Sequence, residues 1–378
     1  MAIGNTGSLA QARIERLRAK MAEQGLGALY VRDVSNIAWL TAFENVFDSE
    51  PAHAAYVDAY RSALHTDSRY ITAFKRAAEG GPWVVDDAKG AHAKWLHGML
   101  PEGALLGIEQ SMTLGEFRRL ERELFGSEES AGANTTGSSS ADGIGKGAED
   151  PAASDTTPVA QEGETTSSVD DPGKRTSVKL RETSGFIVNL RAVKDAYEIE
   201  CLRAAQAVTD AAFAHMVGFM RPGMTEREVQ MELEDFMLRN GGSGLAFSSI
   251  VATGANGASP HAIPGSTRLE AGQCVVMDFG ARARGYCSDM TRMVFLGQPD
   301  ERMRKAYEVL RDANEQVEAM LRPGVTGAEA HQLAEDLLAA GGFGGKMGHS
   351  LGHGVGIDIH EEPVLAPRNN RPLQTGNV

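Results

Sequence analysis

Cysteine is scarce in this sequence. The 378 residues contain three cysteines, Cys201, Cys274 and Cys287, and none of them forms a C-x-x-C pair. An odd number of cysteines without that spacing argues against a disulfide framework and against a zinc ribbon. We therefore expect reduced thiols, as in a cytoplasmic protein.

Long apolar runs and an excess of basic residues are also missing. No run approaches the roughly 20 residues of a membrane span, and the N-terminus M-A-I-G-N-T-G-S lacks the basic and apolar regions of a signal peptide. The 37 Lys and Arg against 51 Asp and Glu give a net charge of -14, which disfavours nonspecific binding to nucleic acid or to an anionic membrane. We expect neither partner for this chain.

Aromatic residues are absent from one long segment, which divides the chain. Residues 126–182 are dominated by Ser, Thr, Gly, Ala, Asp and Glu. Such a segment cannot bury enough apolar surface to offset the entropy lost on ordering. We predict a disordered linker or insertion at 126–182 between folded regions at 1–125 and 183–378, with a regulatory or docking segment as the alternative.

The first folded region alternates helical and strand patterns. Apolar residues recur at helical spacing from Leu9 to Met21, and short apolar runs follow at intervals along the region. This alternation predicts a sheet with helices packed on it. The strand candidates are residues 28–31, 54–57, 63–66, 83–85 and 104–108.

The second folded region contains an internal repeat. R-P-G-M-T-E-R-E at residues 221–228 recurs as R-P-G-V-T-G-A-E at residues 322–329, with five identities in eight positions. In each copy a Pro-Gly turn follows a long helical pattern, and a Thr with a Glu three residues later predicts a capping box at the start of the next helix. The pattern favours duplication over coincidence between common turns, and two related halves facing one another create a cleft.

Two aspartates lie on predicted strands that would make them neighbours across a hairpin-like pair. Residues 273–280 indicate a buried strand that carries Asp278, and residues 286–296 indicate a returning strand that carries Asp289. Two close carboxylates repel each other, and divalent cations relieve that repulsion. The alternative is one exposed turn aspartate and one aspartate paired with Arg292.

Four histidines in Gly- or Pro-containing contexts strengthen the metal interpretation. His349 and His353 lie in G-H-S-L-G-H-G-V-G, His261 in S-P-H-A, and His360 in H-E-E-P. The glycines argue against a stable helix, and no H-E-x-x-H motif occurs. A lone buried histidine is usually a core residue, but mixed Asp and His ligation suits Mn²⁺, Fe²⁺, Co²⁺ or Zn²⁺ better than Ca²⁺. We therefore predict a hydrolytic cleft in this region.

These motifs together resemble the pita-bread metallopeptidases of the aminopeptidase P and prolidase branch. The matching segments are F-S-S-I-V-A-T-G-A-N-G-A-S-P-H, V-V-M-D-F-G, S-D-M-T-R, G-H-S-L-G-H-G-V-G and H-E-E-P, in that order. D-V-S-N-I-A-W-L-T and A-L-H-T-D-S-R-Y resemble the creatinase/prolidase N-terminal domain. The resemblance implies an α+β fold, in which a smaller α/β domain precedes a curved antiparallel sheet covered by helices with pseudo-two-fold symmetry.

The resemblance also implies a role for each site residue. Asp278 would chelate one metal ion, Asp289 would bridge two, and His353 would ligate the second. The cofactor would be two divalent metal ions, with manganese favoured over cobalt, iron or zinc. The remaining site residues would contact the substrate and steady the transition state (His261, His360) or line the same pocket (His349).

The reaction implied by the family is hydrolysis of the peptide bond before proline, so the partners would be proline-containing peptides. General similarity favours an Xaa-Pro aminopeptidase over an Xaa-Pro dipeptidase. Members of the family are commonly homodimers or larger homo-oligomers. A creatinase-like hydrolase, which uses the same fold without metal, is disfavoured by the intact Asp278, Asp289 and His353.

One departure from the family pattern concerns the metal ligands. The resemblance implies two further acidic ligands after H-E-E-P, whereas this sequence ends in T-G-N-V at Val378. We therefore expect a chain that is incomplete at its C-terminus, binds metal weakly, has little activity and is poorly soluble. A non-catalytic binding module with the same fold is the alternative from another class.

Overall fold

A computed structural model of the chain describes residues 6–48, 50–126 and 177–378. Most of the predicted linker at 126–182 lies outside the described residues. Among the described helices, none combines the length and the apolar character that a membrane crossing requires. All three cysteines are buried and free.

The N-terminal region folds around one mixed sheet. Its six strands have the order β4-β3-β2-β1-β5-β6, in which β2 is antiparallel to both β1 and β3 and the other neighbouring pairs are parallel. The strands are β1 (Ala28–Val31), β2 (His53–Asp58), β3 (Ser62–Thr66), β4 (Val84–Asp86), β5 (Leu105–Glu109) and β6 (Lys179–Thr183). The helices are α1 (Thr6–Glu23), α2 (Val34–Thr41), α3 (Ile71–Ala78), α4 (His92–Met99) and α5 (Leu114–Phe125).

Both faces of this sheet are buried, because successive strand residues point to opposite sides. Leu29 and Leu64 pack with residues of α1, α2 and α3, whereas Tyr30 and Tyr56 pack with residues of α4 and α5. The five predicted strands and the first helix are confirmed to within a few residues at each end.

Strand β6 corrects one end of the predicted linker. Residues 179–182 belong to a strand that pairs in parallel with β5 along its whole length. Val178, which precedes the strand, is buried in the same core as Leu106. The ordering therefore comes from tertiary pairing with β5, which the polar composition of the segment does not reveal.

His53 gives the N-terminal domain a pH-dependent stability. Its side chain is fully buried, stacks on Phe74 and lies 2.8 Å from the Thr66 hydroxyl through Nδ1. Its Nε2 has no hydrogen-bond partner among the described residues. Burial lowers the pKa of His53 to about 4, so the folded domain holds this imidazole neutral.

The free energy of unfolding should therefore fall as the pH drops from about 6.5, the ordinary value in an unfolded chain, to about 4. One such group contributes a slope of at most about 1.4 kcal/mol per pH unit in that window. Urea unfolding at pH 7, 6 and 5 should show a shallower pH dependence for His53→Asn than for the unchanged chain. His97→Asn, at a partly exposed histidine of α4, is the control, and equal slopes for all three proteins would contradict the prediction.

The second region begins with a short helix and two helices that pack on each other. These are α6 (Val188–Arg191), α7 (Ala196–Phe219) and α8 (Glu226–Arg239). The strands that follow form two small sheets of order β12-β9-β8 and β11-β10-β7. They are β7 (Gly244–Leu245), β8 (Ile250–Thr253), β9 (Cys274–Phe279), β10 (Ala281–Ala283), β11 (Tyr286–Cys287) and β12 (Met290–Phe295).

The chain then forms a second helix pair and a two-stranded sheet. These elements are α9 (Glu301–Met320), α10 (Gly327–Ala340), β13 (Gly352–Gly354) and β14 (Glu361–Leu365). Both predicted capping boxes are present, at Thr225 with Glu228 and at Thr326 with Glu329. They fix the starts of α8 and α10, as the repeated sequence predicts.

The duplication extends beyond the repeated sequence. The backbone N–H of Gly223 donates to Leu269 at 2.7 Å, and that of Gly324 donates to Leu373 at 2.9 Å. The capping threonines form matching antiparallel bridges, Thr225 with Arg268 and Thr326 with Pro372. Each half therefore pairs its Pro-Gly turn with a later extended segment in the same way, which supports the predicted duplication.

Candidate metal centre

The two aspartates are brought together by an antiparallel strand pair. In the register of β9 and β12, Asp278 pairs with Thr291 and Phe279 pairs with Met290. Asp289 immediately precedes Met290, so it lies at the end of β9 that carries Asp278. The predicted proximity across a hairpin-like pair is confirmed. The predicted single returning strand is instead divided into β11 and β12.

Gly280 allows the close backbone approach on which this arrangement depends. A Cβ at Gly280 would lie 2.0 Å from the carbonyl oxygen of Ser288. The Ser288 backbone N–H donates to the Ala281 carbonyl at 2.9 Å, and the Ala281 N–H donates to the Ser288 hydroxyl at 2.9 Å. These contacts hold the residues after Asp278 against the residue before Asp289.

The two carboxylates share an unfavourable electrostatic environment. Burial raises the pKa of Asp289, and the negative charge of Asp278 raises it further. Burial also raises the pKa of Asp278, although the Thr291 hydroxyl donates to its Oδ1 at 2.9 Å. Arg292 donates to the Thr291 carbonyl, and no ion pair joins it to either aspartate in the described part of the chain. The geometry therefore does not support the alternative in which Arg292 neutralises one of them.

His353 and His360 approach the aspartates from the two-stranded sheet. His353 Nε2 lies 3.6 Å from Asp289 Oδ2, and the rings of His353 and His360 are 4.3 Å apart in an edge-to-face arrangement. His353 Nδ1 lies 3.0 Å from the Gly354 carbonyl. A proton on Nδ1 satisfies that carbonyl, and the lone pair of Nε2 then faces the carboxylate. Two electron-rich groups facing one another form a site for a cation.

His261 lies on a third segment near the same group. It follows a short 3₁₀ helix at Gly254–Ala258 and is exposed. Burial lowers the pKa of His360 and raises that of Asp278, and His261 lies within electrostatic range of both groups. The loop that carries it leads from β8 towards β9, the strand of Asp278.

His349 is not joined to this group by any described contact. It is exposed, and its Nδ1 lies 2.7 Å from the Ser350 carbonyl. Its predicted place in the substrate pocket stays a prediction.

Glu226 is a buried carboxylate near the site that the sequence motifs do not indicate. Its side chain is fully buried, and it accepts hydrogen bonds from the backbone N–H of Thr253 at 2.9 Å and of Gly265 at 3.1 Å. The same carboxylate accepts from the Asn256 side chain at 3.1 Å. Glu226 therefore fixes both ends of the loop that carries His261. The signal in the sequence is its position directly after the cap Thr225, where the second repeat copy has Gly327.

The chemistry of these side chains fits a divalent metal ion. Two half-buried carboxylates and one imidazole nitrogen are ligands that Mn²⁺, Fe²⁺, Co²⁺ and Zn²⁺ accept, and a cation would relieve the repulsion between Asp278 and Asp289. Within residues 6–48, 50–126 and 177–378, no three His, Cys, Asp or Glu side chains already stand close enough together to hold an ion. Asp278, Asp289 and His353 are the residues that would hold the metal.

Two family models match this chain. Residues 200–378 match the model described as metallopeptidase family M24, and residues 13–136 match the model described as creatinase/prolidase N-terminal domain. An uncharacterized peptidase of Bacillus subtilis is 41% identical over 192 residues, which are 51% of this chain and 54% of the relative. An Xaa-Pro dipeptidase of Pyrococcus furiosus is 34% identical over 213 residues, 56% of this chain and 61% of the relative. The matched residues thus span only about half to three fifths of these relatives.

Solved structures resemble the whole chain. The Xaa-Pro dipeptidase from Bacillus anthracis has a TM-score of 0.77 at 28% identity, and the X-Pro aminopeptidase from Thermotoga maritima has a TM-score of 0.73 at 26% identity. Each match covers 97% of this chain and 88% of the other. The predicted fold class is confirmed: a pita-bread domain with curved sheets and covering helices follows a smaller α/β domain.

Proposed function

We propose that this chain, whose residues 13–136 match the creatinase/prolidase N-terminal domain and whose residues 200–378 match metallopeptidase family M24, hydrolyses peptide bonds preceding proline with two divalent metal ions. The observation that carries the proposal is the approach of three segments: Asp278 on β9 lies beside Asp289, which directly precedes β12, and His353 Nε2 on β13 lies 3.6 Å from Asp289 Oδ2. Manganese as the native ion, a cytoplasmic location and assembly into a homodimer or larger homo-oligomer belong to the same proposal.

The site residues divide the work between holding metal and holding substrate. Metal ions at Asp278, Asp289 and His353 would supply Lewis acidity towards the scissile carbonyl and towards water. His360, whose ring contacts that of His353, and His261, which lies within electrostatic range of Asp278, would donate to the substrate carbonyl and to the developing oxyanion. Glu226 keeps the His261 loop in place, because its carboxylate binds the backbone at both ends of that loop.

The choice between a dipeptidase and an aminopeptidase is a matter of substrate length. The relatives named Xaa-Pro dipeptidase support the first activity, and the solved X-Pro aminopeptidase from Thermotoga maritima supports the second. We propose Xaa-Pro peptidase activity, with substrate length decided by comparing Gly-Pro with a longer peptide that has proline at its second position.

The test incubates the full chain with Mn²⁺ and follows release of products from both peptides and from Gly-Ala. We expect cleavage of the proline-containing peptides, no cleavage of Gly-Ala, and loss of activity when a chelator removes the metal; robust turnover with Mn²⁺ would contradict the expectation of little activity. Faster cleavage of Gly-Pro identifies a dipeptidase, and faster cleavage of the longer peptide identifies an aminopeptidase. An absence of hydrolysis with Mn²⁺, Co²⁺, Fe²⁺ and Zn²⁺ would contradict the proposal and favour the non-catalytic binding module.

A further inference from the structure

A buried carboxylate lies next to His360 in the sequence and near His353 in the strand pair β13–β14. Glu361 follows His360, and only 4% of its side chain is exposed. Its Oε1 accepts a hydrogen bond from Arg191 Nη2, and its Oε2 lies 3.1 Å from Lys194 Nζ. Both cations are as buried as the carboxylate, with side-chain exposures of 3% and 0%.

Glu361 contacts both segments that carry the histidines. In the strand pair β13–β14 it is the partner of Gly354, the residue after His353. Its Oε1 also accepts from the backbone N–H of Asp358 at 3.1 Å, and a Cβ at Gly356 would lie 2.5 Å from the carboxylate. The loop between the two strands therefore wraps around this one carboxylate.

The cation that holds Glu361 is itself held by the N-terminal domain. Arg191 Nη1 donates to Asn36 Oδ1 at 2.8 Å, and Asn36 Nδ2 donates to Glu109 Oε1 at 2.7 Å, which lies at the end of β5. Arg191 Nη2 also donates to Asp358 Oδ2 at 2.6 Å. A second link comes from Ser35, whose hydroxyl donates to Asp358 Oδ1 at 2.6 Å.

The charges in this network are balanced, with two cations, Arg191 and Lys194, facing two carboxylates, Asp358 and Glu361. Removing Glu361 would leave the buried Lys194 without its carboxylate partner, whereas the side chain of Asp358 is 45% exposed and its loss would be partly compensated by water. Arg191 can satisfy three acceptors at once because its guanidinium has donors in a fixed planar arrangement, which a lysine lacks. The network therefore restrains the positions of its side chains more strictly than an apolar contact of the same size would.

We propose that Arg191, Lys194 and Glu361 are positioning residues that hold His353 and His360 against the two aspartates, and that the N-terminal domain sets this geometry through Ser35 and Asn36. We refer to Arg191, Lys194, Asp358 and Glu361 as the histidine clamp. The roles of His353 and His360 rest on the proposed function, whereas the contacts of the histidine clamp do not depend on it.

The test compares Ser35→Ala and Arg191→Lys with a matched interdomain variant, Trp39→Phe. Trp39 Nε1 donates to Glu198 Oε1 at 3.0 Å, also between buried side chains of the two domains, and neither side chain hydrogen-bonds residues 349–365 in the described part of the chain. The readouts on the full chain are hydrogen–deuterium exchange of residues 349–365 and the affinity for Mn²⁺ alone. Arg191→Lys should lower Mn²⁺ affinity by roughly 10- to 100-fold, the usual effect of changing groups that orient metal ligands, and raise exchange in that segment.

Ser35→Ala removes a single hydroxyl and keeps the experiment decisive if Arg191→Lys does not fold. It should raise exchange in residues 349–365 and weaken Mn²⁺ binding several-fold, whereas Trp39→Phe should lower thermal stability and leave both readouts unchanged. If Ser35→Ala behaves like Trp39→Phe in both readouts, the histidine clamp is wrong. If the unchanged chain hydrolyses no peptide, the proposed function fails, and the exchange comparison still decides the clamp.

Discussion

Replacing Asp289 with Asn should abolish Mn²⁺ binding and lower kcat/KM for a proline-containing peptide by about a thousandfold. Asn has the same shape, but it lacks the charge that a cation shared with Asp278 and His353 would need. A metal ion supplies several kcal/mol of transition-state stabilisation, and about 4 kcal/mol corresponds to that factor in rate. Isothermal titration with Mn²⁺ and steady-state kinetics measure the two effects.

The same substitution should stabilise the metal-free chain. The charge of Asp278 and burial both disfavour ionisation of Asp289, so a neutral amide relieves repulsion in the absence of metal. We expect the free energy of unfolding to rise by about 1 kcal/mol, a typical gain where an active site gives up stability for function. Asp235→Asn, at an exposed residue paired with Arg239, is the control and should change neither quantity. An Asp289→Asn variant that binds Mn²⁺ normally would contradict the assignment of the site.

Local patterns were sufficient to predict much of the fold. Strands β1, β2 and β3 lie where short apolar runs are bounded by polar turn residues, because a buried strand requires that pattern. The starts of α8 and α10 follow from Thr225 and Thr326, since a capping box is satisfied within four consecutive residues.

The break between β11 and β12 could not be predicted in this way. Residues 286–296 alternate as one strand would, and the interruption at Ser288 arises because its carbonyl approaches Gly280. Residues 179–183 likewise form an ordered strand, β6, because they pair with β5, more than fifty residues away along the chain. Contacts of this kind leave no periodic signal in the sequence.

The same distinction between local motifs and long-range contacts applies to the candidate site. Asp278, Asp289, His353 and His360 could be predicted because each lies in a short segment with distinctive neighbours. The residues that hold them could not, because Arg191 and Glu361 are separated by 170 positions and Asn36 and Arg191 by 155. An ion pair within the second region, or a hydrogen bond between the two regions, is visible at such a separation only in the folded structure.

Replacing Gly280 with Ala should destabilise the protein strongly and separate the two aspartates. The added Cβ would lie 2.0 Å from the Ser288 carbonyl oxygen and 3.1 Å from the Ala246 Cβ, and the nearer obstacle is backbone that cannot rotate away. Overpacking of this kind costs about 3 kcal/mol or more when the backbone must move. Urea unfolding measures the loss, and Mn²⁺ titration should show weaker binding because Asp278 and Asp289 depend on that contact.

Gly218→Ala is the matched control, because Gly218 lies in α7 of the same domain and has open space around its Cβ position. Alanine there should raise the free energy of unfolding by about 0.5–1 kcal/mol, since glycine is unfavourable inside a helix. Gly280 does not adopt a positive φ angle, so the expected loss at that position comes from the lack of space alone. A Gly280→Ala variant as stable as the unchanged chain would therefore show that β9 and the Ser288 segment are not in close contact, and the proximity of the two aspartates would lose its structural basis.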